Sequence, residues 1–470
     1  MINEPNPPLP PMKYKNLLCL LLLITGHVQA GPPETSAKNP KAPVAVAPKP
    51  EDNPLSFFDG KLVFDFQEKM RFEYRENNFD FNSSLDSVTD DSWLLQRARL
   101  GMKIKPVEWF TFYVQGQSSF EIDSDRPNEP GVLGAEGDDA IDFRQAWIQL
   151  GTKAANLTLG RQVFSYGDER ILGPLDWNNL GRTFDAARFH YEKSDWWVDV
   201  FAASVVTFDK DELNASDLFN NEGVGRNQVL SGVYFSSTGL IPWQVTDFYG
   251  LELHESSSAG STDFVTLGTR MKADPKKLNG WDYDTEMAVQ FGEVKDKNLA
   301  AFAGHWGIGY NWLKCPWKPR LGIEYNFATG DSNAADGDVG TFQNLYPTNH
   351  KFYGYMDVWA WQNIHNPAVS FSMTPTAKLK VQLDYHLFWL ADTSDAWYRA
   401  NGTSAVRPIT PGADNFAGSE LDLTLAYKVN KNLSLQAGYS RFFAGSYLSD
   451  AGTKKSDDAD FAYMQVQIDF

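Results

Sequence analysis

What most constrains this chain is a strict alternation of apolar and polar side chains, clearest in its last ten residues, Phe461-Ala-Tyr-Met-Gln-Val-Gln-Ile-Asp-Phe470. Successive side chains of a strand point to opposite faces. Ala462, Met464, Val466, Ile468 and Phe470 therefore share one face, while Gln465, Gln467 and Asp469 share the other. A strand that is apolar on one side, polar on the other and aromatic at its end suits the closing strand of a barrel set between lipid and water. An edge strand of a soluble sandwich would carry the same local pattern, so the rest of the chain must separate the two.

From Lys61 onward the alternation recurs without sustained helical periodicity. Leu62, Phe64, Phe66, Met70, Phe72 and Tyr74 oppose Asp65, Gln67, Lys69, Arg71, Glu73 and Arg75. Leu379, Val381, Leu383, Tyr385, Leu387 and Trp389 oppose Lys380, Gln382, Asp384, His386 and Phe388. A packed soluble core would need apolar groups where these strands carry charge.

The pattern predicts strands at about 61–75, 93–104, 109–120, 141–150, 156–165, 183–192, 196–206, 228–236, 243–254, 262–272, 281–292, 301–312, 318–328, 367–374, 379–390, 420–428, 433–443 and 461–470. That is eighteen, an even number, as closure of an antiparallel bacterial barrel requires. Short connections such as Lys105-Pro-Val-Glu108 and Val429-Asn-Lys-Asn432 alternate with long ones such as 121–140, 166–182, 329–366 and 391–419. Short periplasmic turns and long outer loops are the second mark of a transmembrane antiparallel β-barrel. Tyr353–Trp361 is placed in a folded outer loop rather than in a strand.

The longest apolar run, Leu17–Ile24, is too short for a spanning helix, which needs about 20 residues. Lys13 and Lys15 before it and Val28-Gln29-Ala30 after it read as a secretory leader over 1–30, with Met12 an alternative start. A Pro/Ala-rich periplasmic linker follows over 31–54, and the barrel occupies 55–470. Cys19 falls in the leader and leaves Cys315 alone, so neither a disulfide framework nor a thiolate metal site is expected. The net charge of −18 argues against a nucleic-acid partner. Gly-x-Ser-x-Gly, His-Glu-x-x-His and Gly-x-x-x-x-Gly-Lys are absent, and no catalytic residue, metal or cofactor is expected. The acidic run Gly330–Asp338 misses the spacing of a calcium loop and reads as a solvated loop.

Parity directs Lys69, Arg71 and Arg75 into the lumen, together with Arg97, Arg99, Lys103, Arg188, Arg270, Lys272 and Arg320. A ring of arginines, whose planar fork suits carboxylate and phosphate, makes an anion-selective pore. The alternative is that these cations pair with inward Asp65, Glu73, Asp282, Asp284 and Glu324. The negative total does not oppose a basic channel, because acids such as Asp86, Asp123, Asp138, Asp211 and Asp336 lie in the outer loops.

The densest run is Leu159-Gly-Arg161-Gln-Val-Phe-Ser-Tyr-Gly-Asp168-Glu-Arg170-Ile-Leu-Gly-Pro-Leu-Asp176-Trp-Asn-Asn-Leu-Gly-Arg182-Thr-Phe-Asp185. With Asn344–Asp357 and Ala437–Tyr447, it resembles the alginate-export porins of Gram-negative outer membranes, over about Phe57 to Phe470. The resemblance implies a monomeric, eighteen-stranded outer-membrane porin passing an anionic polysaccharide outward through an arginine-lined constriction. Its partners would be that polysaccharide or a small anionic solute, outer-membrane lipid and periplasmic export proteins. Carried onto this sequence, Arg161, Arg170 and Arg182 are constriction candidates beside Arg97, Arg99 and Arg144, with Asp168, Asp176 and Asp185 orienting them. Arg161 has lipid-facing parity and needs a bulge at Gly160 to turn inward. The competing transport reading is a general or anion-selective porin for small solutes or sugars. An outer-membrane hydrolase lacks a Ser–His pair here, and an adhesin-like anchor would rest only on the acidic loops.

Overall fold

The computed structural model describes residues 54–84, 89–128, 130–131, 134–209, 212–217, 228–257, 260–402, 409–451 and 456–470. The expected leader, almost all of the linker, Asp86 and Asp211 lie outside them. The described residues form eighteen long strands in one closed antiparallel barrel. They are β1 (Leu62–Glu76), β2 (Asp91–Val107), β3 (Phe110–Ile122), β4 (Asp139–Gly151), β5 (Ala155–Gln162), β6 (Phe184–Lys193), β7 (Trp196–Thr207), β8 (Val229–Ser237) and β9 (Gln244–Ser257). There follow β10 (Gly260–Ala273), β11 (Trp281–Val294), β12 (Lys297–Asn311), β13 (Arg320–Ala328), β14 (Ile364–Met373), β15 (Leu379–Leu390), β16 (Phe416–Lys428), β17 (Leu433–Ala444) and β18 (Ala459–Asp469).

Each strand pairs with its sequence neighbours. Closure comes from β1 on β18, in register from Gln67↔Asp469 to Glu76↔Asp460. Phe470 completes this seam, exchanging backbone hydrogen bonds with Phe66. Closure leaves the barrel no long open edge, which is what lets strands cross a bilayer with every ladder group paired. All eighteen expected segments are strands, and Tyr353–Trp361 lies in a loop.

Alternation sorts the two faces as the pattern requires. Met70, Phe72, Leu100, Phe189, Val233, Phe248, Leu267, Ile323, Leu423, Met464 and Val466 are exposed on the outside, forming the lipid-facing band. Exposed Trp109, Trp243, Trp281, Trp312 and Trp317 cluster near the short turns, where amphipathic rings mark the membrane boundary. Among the described residues, one outer connection is as tight as the periplasmic ones, that of β11–β12, whose Lys295 and Asp296 take φ of 52° and 62°. The long β5–β6 loop (163–183) and β13–β14 loop (329–363) instead fold back into the lumen.

Their docking divides the interior into two levels. Towards the outside, Phe342, Tyr353, Met356, Trp359, Trp361 and Trp397 pack with inward Phe388, Phe442 and Phe461 in one aromatic core. Trp359 stacks on Phe388 at 5.3 Å and on Trp397 at 4.6 Å. Towards the periplasm the inward face stays polar, with Gln115, Gln149, Gln382, Gln436, Gln465 and Gln467 on the wall.

Candidate functional site

The site is built where the β5–β6 loop meets the inner faces of β1 to β4. Residues 174–178 of that loop turn backbone carbonyls towards the wall. Lys69 Nζ donates to the carbonyls of Asp176 (3.2 Å) and Trp177 (3.0 Å). Arg71 donates to Trp177 (2.7 Å), Arg97 to Asp176 (3.3 Å) and Asn178 (3.1 Å), and Arg144 to Pro174 (3.1 Å). Hydrogen bonds from a charged donor are worth about 1.5–3 kcal/mol each, so this grip is strong for a loop with little apolar surface of its own.

Two positions let the loop take this path. Gly181 adopts φ 70°, and a Cβ there would stand 3.0 Å from the guanidinium carbon of Arg144, so glycine lets Arg144 lie against the backbone. Leu175 also sits at positive φ, 51°, held by a bond from its N–H to the Thr348 hydroxyl.

At the centre stands the Asp176 carboxylate. Its Oδ1 lies 2.9 Å from Arg99 Nη1 and 3.7 Å from both Arg97 Nη1 and Arg144 Nη2. Those three arginine side chains are buried, whereas 52% of the Asp176 side chain is exposed to the lumen. The loop being surrounded by protein pushes this carboxyl up. Arg99, Arg97, Arg144 and Lys69 outweigh that and hold it well below the usual carboxylate range. Chemically this is a carboxylate-binding cluster with one water-facing side.

A second tier supports it. Glu136 accepts from Arg71 Nη2 (2.8 Å) and from the backbone N–H of Asn179, while Glu73 accepts from Arg71 Nε (2.5 Å). Trp177 is sandwiched, with the Arg71 guanidinium 3.8 Å from its ring centroid and the His350 ring stacked 3.7 Å away. His350 belongs to the β13–β14 loop, which is stitched to the β5–β6 loop by backbone bonds. Gly173 donates to Tyr346 (2.8 Å), Tyr346 to Ile171 (2.9 Å) and Thr348 to Glu169 (2.9 Å).

The other expected residues are placed differently. Arg170 is buried, 3.9 Å from the Phe352 ring, and bonds Asn326 and the Tyr353 hydroxyl, so it anchors the β13–β14 loop. Arg182 donates to the carbonyls of Gly173 (3.2 Å) and Pro347 (2.9 Å), and burial lowers its guanidinium to about 10. Asp168 meets neither. It pairs with Arg270 (2.8 Å) and Lys272 (2.8 Å) on β10. Arg188 does face the lumen, 3.9 Å from Asp199, whose carboxylate also accepts from the Tyr166 hydroxyl.

Arg161 requires correction. Gly160 has φ 115°, yet the ladders run through it unshifted, Trp147↔Gly160 and Gly160↔Ala186, so the bulge that would turn Arg161 inward does not form. Arg161 keeps the parity of Leu157 and Leu159 and pairs with Asp185 directly opposite, through Nε (3.0 Å) and Nη2 (3.2 Å). That pair knits two strands near the outer rim instead of lining a constriction.

The pairing alternative holds on the far wall. Arg320 binds Asp282 (2.7 Å) and Arg270 also binds Asp247 (3.2 Å) and Asp284 (3.2 Å). Inward Glu286, Glu324, Asp384, Glu420 and Asp422 make that side acidic, so cations gather on β1–β4 and acids on β11–β16. Parity alone flags Glu420 and Asp422 on their strand. Glu136, in an outer loop, carries no comparable mark. In the Gly330–Asp338 run, Asp331 and Asp336 accept from the N–H two residues on, at 3.0 Å in both cases.

A closed eighteen-stranded barrel with a lipid-facing apolar band and loops folded into a polar lumen is a porin-type channel of the outer membrane. Solved structures share the fold. The Pseudomonas aeruginosa channel OpdK, in its structure with vanillate, superposes with TM-score 0.59 at 10% identity, covering 87% of this chain and 98% of its own. P. aeruginosa OccK5 (OpdH) gives 0.59 at 10% identity over 88% and 99%. Acinetobacter baumannii OccAB4 gives 0.54 at 12% over 87% and 98%. No curated protein matches the sequence. The family model described as alginate export matches residues 61–461, so the chain belongs to the alginate export family, a family of transport proteins rather than enzymes.

Proposed function

We propose that this protein is an anion-selective porin for small carboxylate-bearing sugars, such as a uronate monomer or short oligomer. The observation carrying the reading is the convergence of Arg97, Arg99 and Arg144 on one lumen-facing carboxylate, that of Asp176, with Lys69 donating to the backbone carbonyl of the same residue. A solute carboxylate exchanging with Asp176 would meet the same donors. The amides of the periplasmic half supply partners for sugar hydroxyls. One barrel encloses the whole path, so the monomer is the transporting unit.

The aromatic packing of the outer level favours small solutes over a polymer, because a polysaccharide would require both inserted loops to move aside. Passage of an alginate-like polysaccharide is the second reading, favoured by membership of the alginate export family. Liposome swelling tests the first reading. Glucuronate should enter faster than glucose, and equal rates would remove carboxylate recognition from the function.

A further inference from the structure

The periplasmic mouth carries a feature that the arginine cluster does not use. A groove of about 500 Å³ opens between the short-turn ends of β15, β16, β17 and β18. Lys378, Lys380, Lys428 and Lys431 line it together with Gln436 and Gln467. Among the described residues Asp469 is the one carboxylate in its lining, and its oxygens accept from Gln67 (3.0 Å) and Gln467 (2.9 Å). Lys378 donates to the Val429 carbonyl (2.7 Å). Lys380 and Lys428 are exposed, have inward parity, and make no ion pair with a described residue.

Strand register joins this groove to the cluster deeper in. Lys428 lies opposite Ser434, Ser434 opposite Gln467, Gln467 opposite Lys69, and Lys69 opposite Arg97. All five share the inner face. Lys428 ends its strand at the periplasmic rim, whereas Lys69 and Arg97 lie well inside theirs, so the row climbs as it crosses. With strands about 4.8 Å apart, four steps span roughly 19 Å. The parallel row Lys380–Ala426–Gln436–Gln465–Arg71 runs beside it.

The charge along the barrel points the same way. Exposed Lys153, Lys276, Lys314 and Lys318 sit in other short turns, which also carry Glu108, Asp195 and Asp274, whereas acids crowd the outer loops. An anion arriving from the periplasm meets attraction at the rim, and one arriving from outside meets repulsion first. Within about 8 Å, the screening length at physiological salt, the groove lysines dominate.

We propose that this groove is a loading site for the carboxylates of a saccharide entering from the periplasm, and that its two rows of cations and amides hand the solute to the Lys69–Arg97–Arg99 cluster. The proposal rests on the carboxylate-sugar reading above and adds a side of entry to it. Lysines hold the carboxylates while amides take hydroxyls, and the spacing of weak sites lets each be released to the next.

The test is single-channel recording of the full barrel in a planar bilayer with known orientation, using trigalacturonate as the blocker. Block from the periplasmic side should begin several-fold faster than from the outer side. A Lys380→Gln/Lys428→Gln double variant should lower the periplasmic on-rate about ten-fold, the lower end of steering effects, and leave the outer on-rate unchanged. Lys380→Arg/Lys428→Arg should keep the fast rate. Equal on-rates from the two sides, or a Gln variant that loads from the periplasm at the wild-type rate, overturns the loading site. Absence of block in a channel that remains anion-selective also overturns the loading site alone. A wild-type channel without anion selectivity overturns the underlying reading.

Discussion

Replacing Asp176 by Asn isolates the central electrostatic argument. The amide keeps the shape of the side chain and removes one negative charge facing the lumen. An anion bound to Arg99 would sit about 4 Å from that charge, because Arg99 Nη1 is already 2.9 Å from Oδ1. The Asp176 side chain is 52% exposed, so the aqueous dielectric applies, and repulsion at about 4 Å in water is worth about 1 kcal/mol. At 1.36 kcal/mol per decade, its removal should raise the anion-to-cation permeability ratio about five-fold.

The loop should stay docked, since Lys69, Arg71 and Arg97 hold backbone carbonyls that the substitution leaves alone. Reversal potential under a KCl gradient reports the ratio, and open-channel conductance reports the loop. A larger ratio at unchanged conductance is the expected result. An unchanged or smaller ratio would refute the argument that Asp176 competes with solute anions.

Other perturbations separate selectivity from loop anchoring. Arg170→Ala removes a buried cation from the Phe352 ring and from Tyr353, at a cost of about 1.5–3 kcal/mol for its charged hydrogen bonds. It should increase conductance and expose the 329–363 loop to protease with little change in selectivity; a pure selectivity change would place Arg170 in the pore instead. Gly181→Ala forces a left-handed backbone and crowds Arg144, costing about 1–2 kcal/mol of loop docking. Current flicker should rise, and a quiet channel would count against the docking described. For pH, the Asp176 carboxyl is depressed in the folded protein, so its stabilisation is present above the unfolded value near 3.9 and is lost only as pH falls through the lower folded value. Selectivity attributable to Asp176 should stay flat from about pH 7 to about pH 4. A midpoint within that window, absent in Asp176→Asn, would contradict the cluster.

The barrel was readable because one rule, period two, applies to every strand and needs no knowledge of distant contacts. The same parity placed Lys69, Arg97, Arg99 and Arg188 in the lumen, and warned that Arg161 did not belong there. The loops obey no such rule. Asp168 finds its partners on β10 about a hundred residues away (Lys272 is 104 positions on), and Glu136 meets Arg71 across 65 positions. Nothing local in either segment announces those contacts. The loop carbonyls that hold Lys69, Arg71 and Arg97 are backbone groups, which composition cannot reveal. Sequence therefore pointed these cations inward but gave no sign of the loop that most of them grip.

The most direct measurement is the reversal potential of the wild-type barrel under a steep gradient of sodium glucuronate. A potential of the sign set by glucuronate, exceeding that explained by sodium leak, is the expected result. A potential following sodium would contradict the claim that this lumen selects carboxylates.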